Sequence, residues 1–438
     1  MAPFRFLLVL AAAAAVASGQ SEASYQPPGE HPSLLLNARR LRLLKRERER
    51  QSPRWQQFEA LVTGSARLPE PGFALALYYQ ASGDGAVGRR AVEWAATGTD
   101  LRQLALVFDW CQPVMNKTQS AALASRLASA LQRAPETSGI PEARSRAFAA
   151  IALADRLPKI SEAELRRIAS AWFPEAAARA PVAPGDLYAL LELLHAVRDN
   201  LQLDLRDSAR VYFHDLPLVD LLSYYPASYS APENEYRIPA AKGGEPDPQL
   251  AARARAADLA LVAYDPNAPE NQFLQGWLMH DRFAMRGPFG APYEFLWANP
   301  YQPGVSYYAA PLAARDTAFG RLFARSSWDD DASWAGYFDG QLQVFENGGA
   351  KTVAQGSGRP VQVGETAIAL SGAPSWPVFD KPLKRLFLVG LLPGRTYLIE
   401  IDGHEMQEER AGPGGIIGLD FSYEFRGAVR IREAAAAQ

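Results

Sequence analysis

One cysteine in 438 residues has nothing to pair with, so an internal disulfide and any zinc site built from cysteines are excluded. That residue, Cys111, sits in FDWCQPVM with no histidine or basic neighbour to stabilise a thiolate, and it reads as a buried, inert thiol. Histidine is almost as scarce: His31, His195, His214, His280 and His404 are the whole supply. Neither sign of charge dominates. With 45 basic and 48 acidic residues and a net charge of −3, no global field draws the chain to nucleic acid or to an anionic membrane. Walker loop, dinucleotide fingerprint, Gly-x-Ser-x-Gly elbow and His-Glu-x-x-His are all missing, so phosphotransfer, hydride transfer and zinc peptidase chemistry lack support. No cofactor and no metal ligand set is expected. What is present is 48% hydrophobic residues with 33 Gly and 33 Pro, the profile of a folded protein of two or three domains.

The opening MAPFRFLLVLAAAAAVASGQ places Arg5 ahead of an apolar run from Phe6 to Ala17 and ends it on Ala17-Ser18-Gly19. This reads as a signal peptide over 1–19, because the run is too short to span a bilayer and small residues mark a cleavage site. No cysteine follows it and no later segment is long and apolar enough to cross a membrane. The expected product is secreted or periplasmic, without a membrane anchor.

From residue 32 to about 265 apolar residues recur at spacings of three and four in Ala/Leu/Arg-rich runs. Helices are expected over 38–50, 53–63, 71–82, 85–97, 100–112, 117–133, 140–156, 161–179, 185–199, 216–224 and 248–263. Their connections, such as LPEPG, TGTD and MNKT, are short, which makes successive helices antiparallel. So many hairpins bury themselves as a solenoid or as a closed ring, and the absence of a fixed-period repeat favours the ring. Residues 266–318 read as a long, aromatic-rich irregular segment between domains. Over 319–432 the pattern turns to period-two alternation broken by Gly, Asn and Asp, the signature of an antiparallel β-sandwich. The fold expected is thus multidomain α+β: an N-terminal (α/α) toroid of helical hairpins followed by that sandwich.

Three stretches occur in order: HPSLLLNARRLRLLKRERERQSPRWQQF, FDWCQPVM and RSSWDDDASWAGYFDG. Together they resemble the heparinase II/III-like polysaccharide lyases, a family that pairs an (α/α) toroid with a β-sandwich. The resemblance spans nearly the whole chain after residue 19. It implies β-elimination on an acidic, uronate-containing polysaccharide or oligosaccharide. The chain departs from the family where a His-x-His-x-Asp-like stretch follows the Arg-Ser-Trp strand, since GYFDGQLQVFENGGAKTVAQG holds no histidine. The alternative is therefore a non-catalytic glycan-binding protein on a degenerate lyase scaffold.

A uronate lyase neutralises a carboxylate, removes the adjacent proton and protonates the leaving oxygen, so it needs an amide or cation, a base and an acid together. In the resembled family those groups are Asn, Tyr and His side chains. Residues 198–237 leave the periodic pattern and supply Asn200 as neutraliser, His214 as base, Tyr225 or Tyr236 as acid and Arg237 to orient the anionic chain. The tyrosines there read equally as amphipathic packing with satisfied hydroxyls. Residues 275–308 supply His280 as the other candidate base and Arg282 as a second orienting cation. Trp277, Glu294, Trp297 and Tyr301 join them as substrate-binding candidates, aromatic faces for sugar rings beside polar forks. That segment reads also as an interdomain saddle. His195 lies among leucines and reads as a core histidine, His31 and His404 as surface residues, and Asp329-Asp330-Asp331 as a solvated turn.

Overall fold

The computed structural model describes residues 24–135, 139–177, 182–183, 185–227, 229–231, 234–241, 248–280, 287–346, 348–354, 359–372, 375–376, 379, 381–403 and 405–434. The signal segment, Arg282 and His404 lie outside these, as does the side chain of Tyr236.

The helices are α1 (Ala38–Glu49), α2 (Pro53–Thr63), α3 (Pro71–Ser82), α4 (Gly85–Thr97), α5 (Leu101–Trp110), α6 (Lys117–Gln132) and α7 (Ile140–Ala152). After them come α8 (Pro158–Arg166), α9 (Leu187–Leu201), α10 (Arg210–Ser223), α11 (Pro248–Tyr264), α12 (Pro269–His280) and α13 (Ala291–Trp297). Polar caps start several of them. Asn37, Ser52, Asp84 and Asp100 accept backbone N–H groups of the first turn, and Asn116 forms a reciprocal box with Gln119. Gly83, at φ +77°, ends α3 in the left-handed conformation that glycine adopts without strain.

Two kinds of helix alternate. In α6 a single stripe, Leu123, Leu127 and Leu131, is buried and the rest faces water. In α5 every residue from Arg102 to Trp110 is buried, so the helix must be surrounded on all sides. The surrounded helices are the odd-numbered ones from α3 onward: α3 packs on α5, α5 on α7, α7 on α9, α9 on α11, α11 on α13, and α13 returns to α3. These six form a closed inner ring, and the striped helices sit outside it. The helical half is an (α/α) toroid. Two of its helices, α12 and α13, fall in the stretch that the sequence pattern presents as irregular.

A short hairpin, β1 (Tyr229–Ala231) and β2 (Asn234–Tyr236), precedes α11. The remaining strands begin at Ala313. Strands β3 (Ala313–Arg315), β4 (Leu322–Arg325), β5 (Trp334–Phe338), β6 (Gln341–Glu346) and β7 (Gly349–Thr352) make an antiparallel meander. Then come β8 (Val361–Val363), β9 (Thr366–Leu370), β10 (Ser375–Trp376), β11 (Leu383–Val389), β12 (Thr396–Ile401), β13 (Glu405–Arg410), β14 (Ile417–Phe425) and β15 (Val429–Glu433). They form a middle sheet, β14-β11-β9-β8, and an outer sheet, β10-β15-β12-β13. The expected antiparallel sandwich is thus a stack of three sheets, and one pair, β9 with β11, is parallel.

Alternation assigns each layer. In the meander, Phe323, Trp334, Phe338 and Phe345 join the toroid core, while Leu322, Ala324, Ala335 and Leu342 face the middle sheet. In the middle sheet, Ile368, Phe387 and Val389 point to the meander and Ala367, Ala369, Leu386 and Leu388 to the outer sheet. The order of layers is toroid, meander, middle sheet, outer sheet. A strand buried on both faces carries a near-continuous apolar run, which is why LKRLFLVG reads as strongly as it does.

Candidate functional site at the toroid–sheet junction

Two short elements meet where the meander abuts the ring. The residues after α13 run back along α12. Val305 donates its N–H to the Gln272 carbonyl at 3.0 Å, and this backbone lies so close to α12 that only a glycine fits at position 276. That seating delivers Tyr307 to the C-terminal end of α12, where the His280 ring stands 5.6 Å from the Tyr307 ring. His280 is exposed and Tyr307 is buried.

The β4–β5 turn supplies the other wall, and it is the RSSWDDD stretch. Trp328 packs edge-on beneath Tyr307 at 5.5 Å and donates its indole N–H to the Ala310 carbonyl at 3.3 Å. Arg325 lies over the Trp328 ring at 4.5 Å and donates to the Ser327 carbonyl at 2.6 Å. Arg237 directly follows β2, outside any strand. One of its Nη atoms donates to the Pro226 carbonyl at 2.8 Å and the other to Asp330 Oδ1 at 2.5 Å. Asp330 is exposed, so the turn is solvated as expected, yet it presents a carboxylate to a half-buried guanidinium.

Burial and a hydrogen bond with Tyr308 push the Tyr307 phenol up to about 12, so it keeps its proton at neutral pH. Burial and the neighbouring Arg237 charge bring Arg325 down to about 10, still a cation near neutrality. The junction thus combines an open imidazole, a protonated phenol and a guanidinium already holding a carboxylate.

Of the residues proposed from sequence, His280 is brought here against the Tyr307 ring, and Arg237 near enough for its charge to act on the same phenol. The others are not. Asn200 is 6% exposed and spends its amide on the Ser33 and Ala196 carbonyls, so it braces α9 instead of meeting a substrate. His214 is exposed on α10, 4.0 Å from Glu270 at the start of α12, a helix length away from His280. Tyr225 donates to Gln343 at 2.9 Å and stacks on Phe345, which makes it part of the seam between ring and meander. The two tryptophans expected as sugar platforms are buried: Trp277 at 4% exposure against Tyr224, Trp297 at 2% with its N–H on the Tyr188 hydroxyl. Glu294 is locked to Arg255 at 3.0 Å. Tyr301 is 43% exposed at the rim of a separate cleft. The backbone of Tyr236 pairs with Tyr229.

The remaining described histidines are structural. His195 is fully buried; its Nε2–H donates to the Ala260 carbonyl at 2.9 Å while Nδ1 accepts from Arg198, and burial with the Arg40 charge holds it neutral. His31 is not the surface residue expected. Its Nδ1 lies 2.5 Å from Asp109 and its Nε2 3.6 Å from Asp155. Cys111 is buried, and burial pushes its thiol up to about 12, so it is inert.

Inside the ring lumen, Glu192 on α9 is fully buried and takes Arg102 Nη2 at 2.6 Å, the Tyr188 hydroxyl at 2.9 Å, and Arg144. Burial opposes its ionisation, but the two arginines outweigh that and hold its pKa below the usual glutamate value. Tyr293 donates to Glu70 beside it. These contacts tie α5, α7, α9 and α13 together and leave Glu192 no lone pair for a ligand.

Sequence reasoning passed over Tyr307, Trp328 and Arg325 as site residues. The signal was present, since Tyr307 stands in the aromatic segment and the other two in the RSSW stretch, but nothing local shows that residues 18 or more apart converge.

No family model matches the chain, and no curated protein matches it. Among solved structures, one described as a glycoside hydrolase covers 83% of this chain and 71% of its own length, with 9% sequence identity and a TM-score of 0.33. Likeness at that level carries no functional argument, so function rests on the residues.

Proposed function

We propose that the chain is an exported polysaccharide lyase that cleaves an acidic, uronate-containing glycan by β-elimination at the toroid–sheet junction. The observation that supports this reading is the convergence of His280, Tyr307 and Arg237. Arg237 neutralises the uronate carboxylate, as it now does Asp330, and so acidifies the proton on C5. The His280 imidazole removes that proton. The electron pair left on C5 forms the C4–C5 double bond, the C4–O bond breaks, and the departing oxygen takes the proton of the Tyr307 hydroxyl.

The test is ultraviolet absorbance of an unsaturated product from a panel of uronate polymers. Activity on one of them is expected, with His280→Ala and Tyr307→Phe each lowering kcat about 10²–10⁴-fold. Silence on every polymer, or a fully active His280→Ala variant, would overturn the reading.

A further inference from the structure

A cavity of about 980 Å³ opens under α1, at the end of the ring where α9, α11 and α13 terminate. It is separate from the junction: Gln272 lines the cavity and His280 the junction, about 12 Å apart along α12. Its cations are Arg39, Arg40, Arg42, Lys45, Arg46 and Arg198, and among the described lining residues Glu49 is the one carboxylate. Such a concentration of positive charge on a chain of net charge −3 is local, not a reflection of composition.

Arg40 forms the floor. Its guanidinium lies 4.0 Å over the Trp297 ring, its Nε has no hydrogen-bond acceptor, and no carboxylate lies within ion-pair distance of it among the described residues. The nearby Asp199 is already engaged by Arg198 at 3.0 Å and Asn37 at 2.9 Å. Burial lowers the Arg40 pKa to about 10, which leaves it charged at neutral pH and short of a counter-charge. Along α1, Arg39, Arg42 and Arg46 repeat at about one per turn, a row of cations spaced about 5.4 Å and suited to a linear polyanion.

The aromatic faces decide between polyanions. Arg40 covers Trp297, Arg198 and Arg206 cover Tyr264 at 3.8 and 4.4 Å, and Arg46 and Arg50 flank Tyr301. Of the three rings lining the cavity only Tyr301 keeps an exposed part, which is fewer than the successive platforms on which the bases of a single-stranded nucleic acid stack. Besides the cations and Glu49, the polar lining includes the amides of Asn37, Asn267, Asn299, Gln272 and Gln302, which suit hydroxyls and carboxylates.

We propose that this cleft is a second binding site, independent of the junction chemistry, for a linear acidic oligosaccharide, with Arg40 taking a carboxylate at its floor. The probe is hexagalacturonate, titrated calorimetrically into the full chain carrying Tyr307→Phe so that turnover does not consume it, with maltohexaose as neutral control. Binding that weakens with added salt is expected for hexagalacturonate alone. Arg42→Glu with Arg46→Glu, both exposed, should weaken it about tenfold or more, and Arg40→Gln should do likewise. Affinity unchanged by the paired reversal, or tighter binding of oligothymidylate than of hexagalacturonate, would overturn the proposal. Failure of the lyase reading would register separately, as absence of an unsaturated product from the unmodified chain.

Discussion

Gly276 and Gly304 touch backbone to backbone: a β-carbon on Gly304 would stand 2.7 Å from the Gly276 α-carbon, and one on Gly276 would collide with the Val305 carbonyl. This contact places Tyr307 beside His280. Gly276→Ala must therefore lift residues 304–308 off α12. A loss of about 1–3 kcal/mol in denaturant unfolding is expected, the usual cost of overfilling a packed site. Catalysis should fall further than stability, because the phenol moves while the rest of the ring stays. A variant with unchanged stability and turnover would show that the contact positions nothing.

Asp330 occupies the guanidinium assigned to the substrate carboxylate. Exposed ion pairs contribute about 0–1 kcal/mol, so the competitor is weak, and Asp330→Asn should lower KM up to about fivefold with kcat unchanged. A raised KM would mean that Asp330 orients Arg237 instead of competing for it.

Glu192 is a buried anion between the buried Arg102 and the partly buried Arg144. Glu192→Gln leaves Arg102 and Arg144 with Glu70, 3.3 Å from Arg102, as their remaining counter-charge, and breaking a buried pair in this way costs about 3–5 kcal/mol. The urea midpoint should drop accordingly. A drop smaller than about 1 kcal/mol would mean that water enters the lumen and solvates the arginines.

His31 links stability to pH. Burial alone would lower its pKa, but the hydrogen bond and charge of Asp109, with Asp155, outweigh it and raise the folded value above 6.5. A raised folded value means that the protonated form stabilises the fold. That contribution is complete below about pH 6.5 and drains away as pH climbs through the folded pKa. The difference in Tm between the unmodified chain and His31→Gln should accordingly be largest in mild acid and shrink above neutrality. A difference that is flat with pH would show that the imidazole is not charged in the fold.

The helical half was legible because its outer helices carry stripes and its seams carry caps. The expected spans 53–63, 71–82 and 85–97 coincide with α2, α3 and α4. Of the two helices missed, α13 has no stripe to show and the stripe of α12 is half polar, with Asn271 and Gln275 buried beside Leu274 and Leu278. In α13 all seven residues are buried, and α12 carries Gly276 in its middle for a tertiary reason that composition does not reveal. The same cause misdirected the site. Trp297 looks like a sugar platform because aromatic residues beside polar ones suggest recognition, but as part of the inner ring it is surrounded. Arg237 and His280 were found by residue type, whereas their meeting at Tyr307 depends on ring closure, which no local window contains. The α1 cations were visible throughout and read only as one stretch of a resemblance.

The layering bears on whether the chain can be divided. The meander lends one face to the ring and the other to the middle sheet, so it belongs to neither half alone. An expression fragment ending before Ala313 would bare the surface that Phe323, Trp334 and Phe345 now cover, and one beginning there would bare those rings. Neither half is a module that could be shuffled into another protein, and synthesis from the ribosome must carry the helical ring in an unfinished, sticky state until more than thirty further residues have emerged.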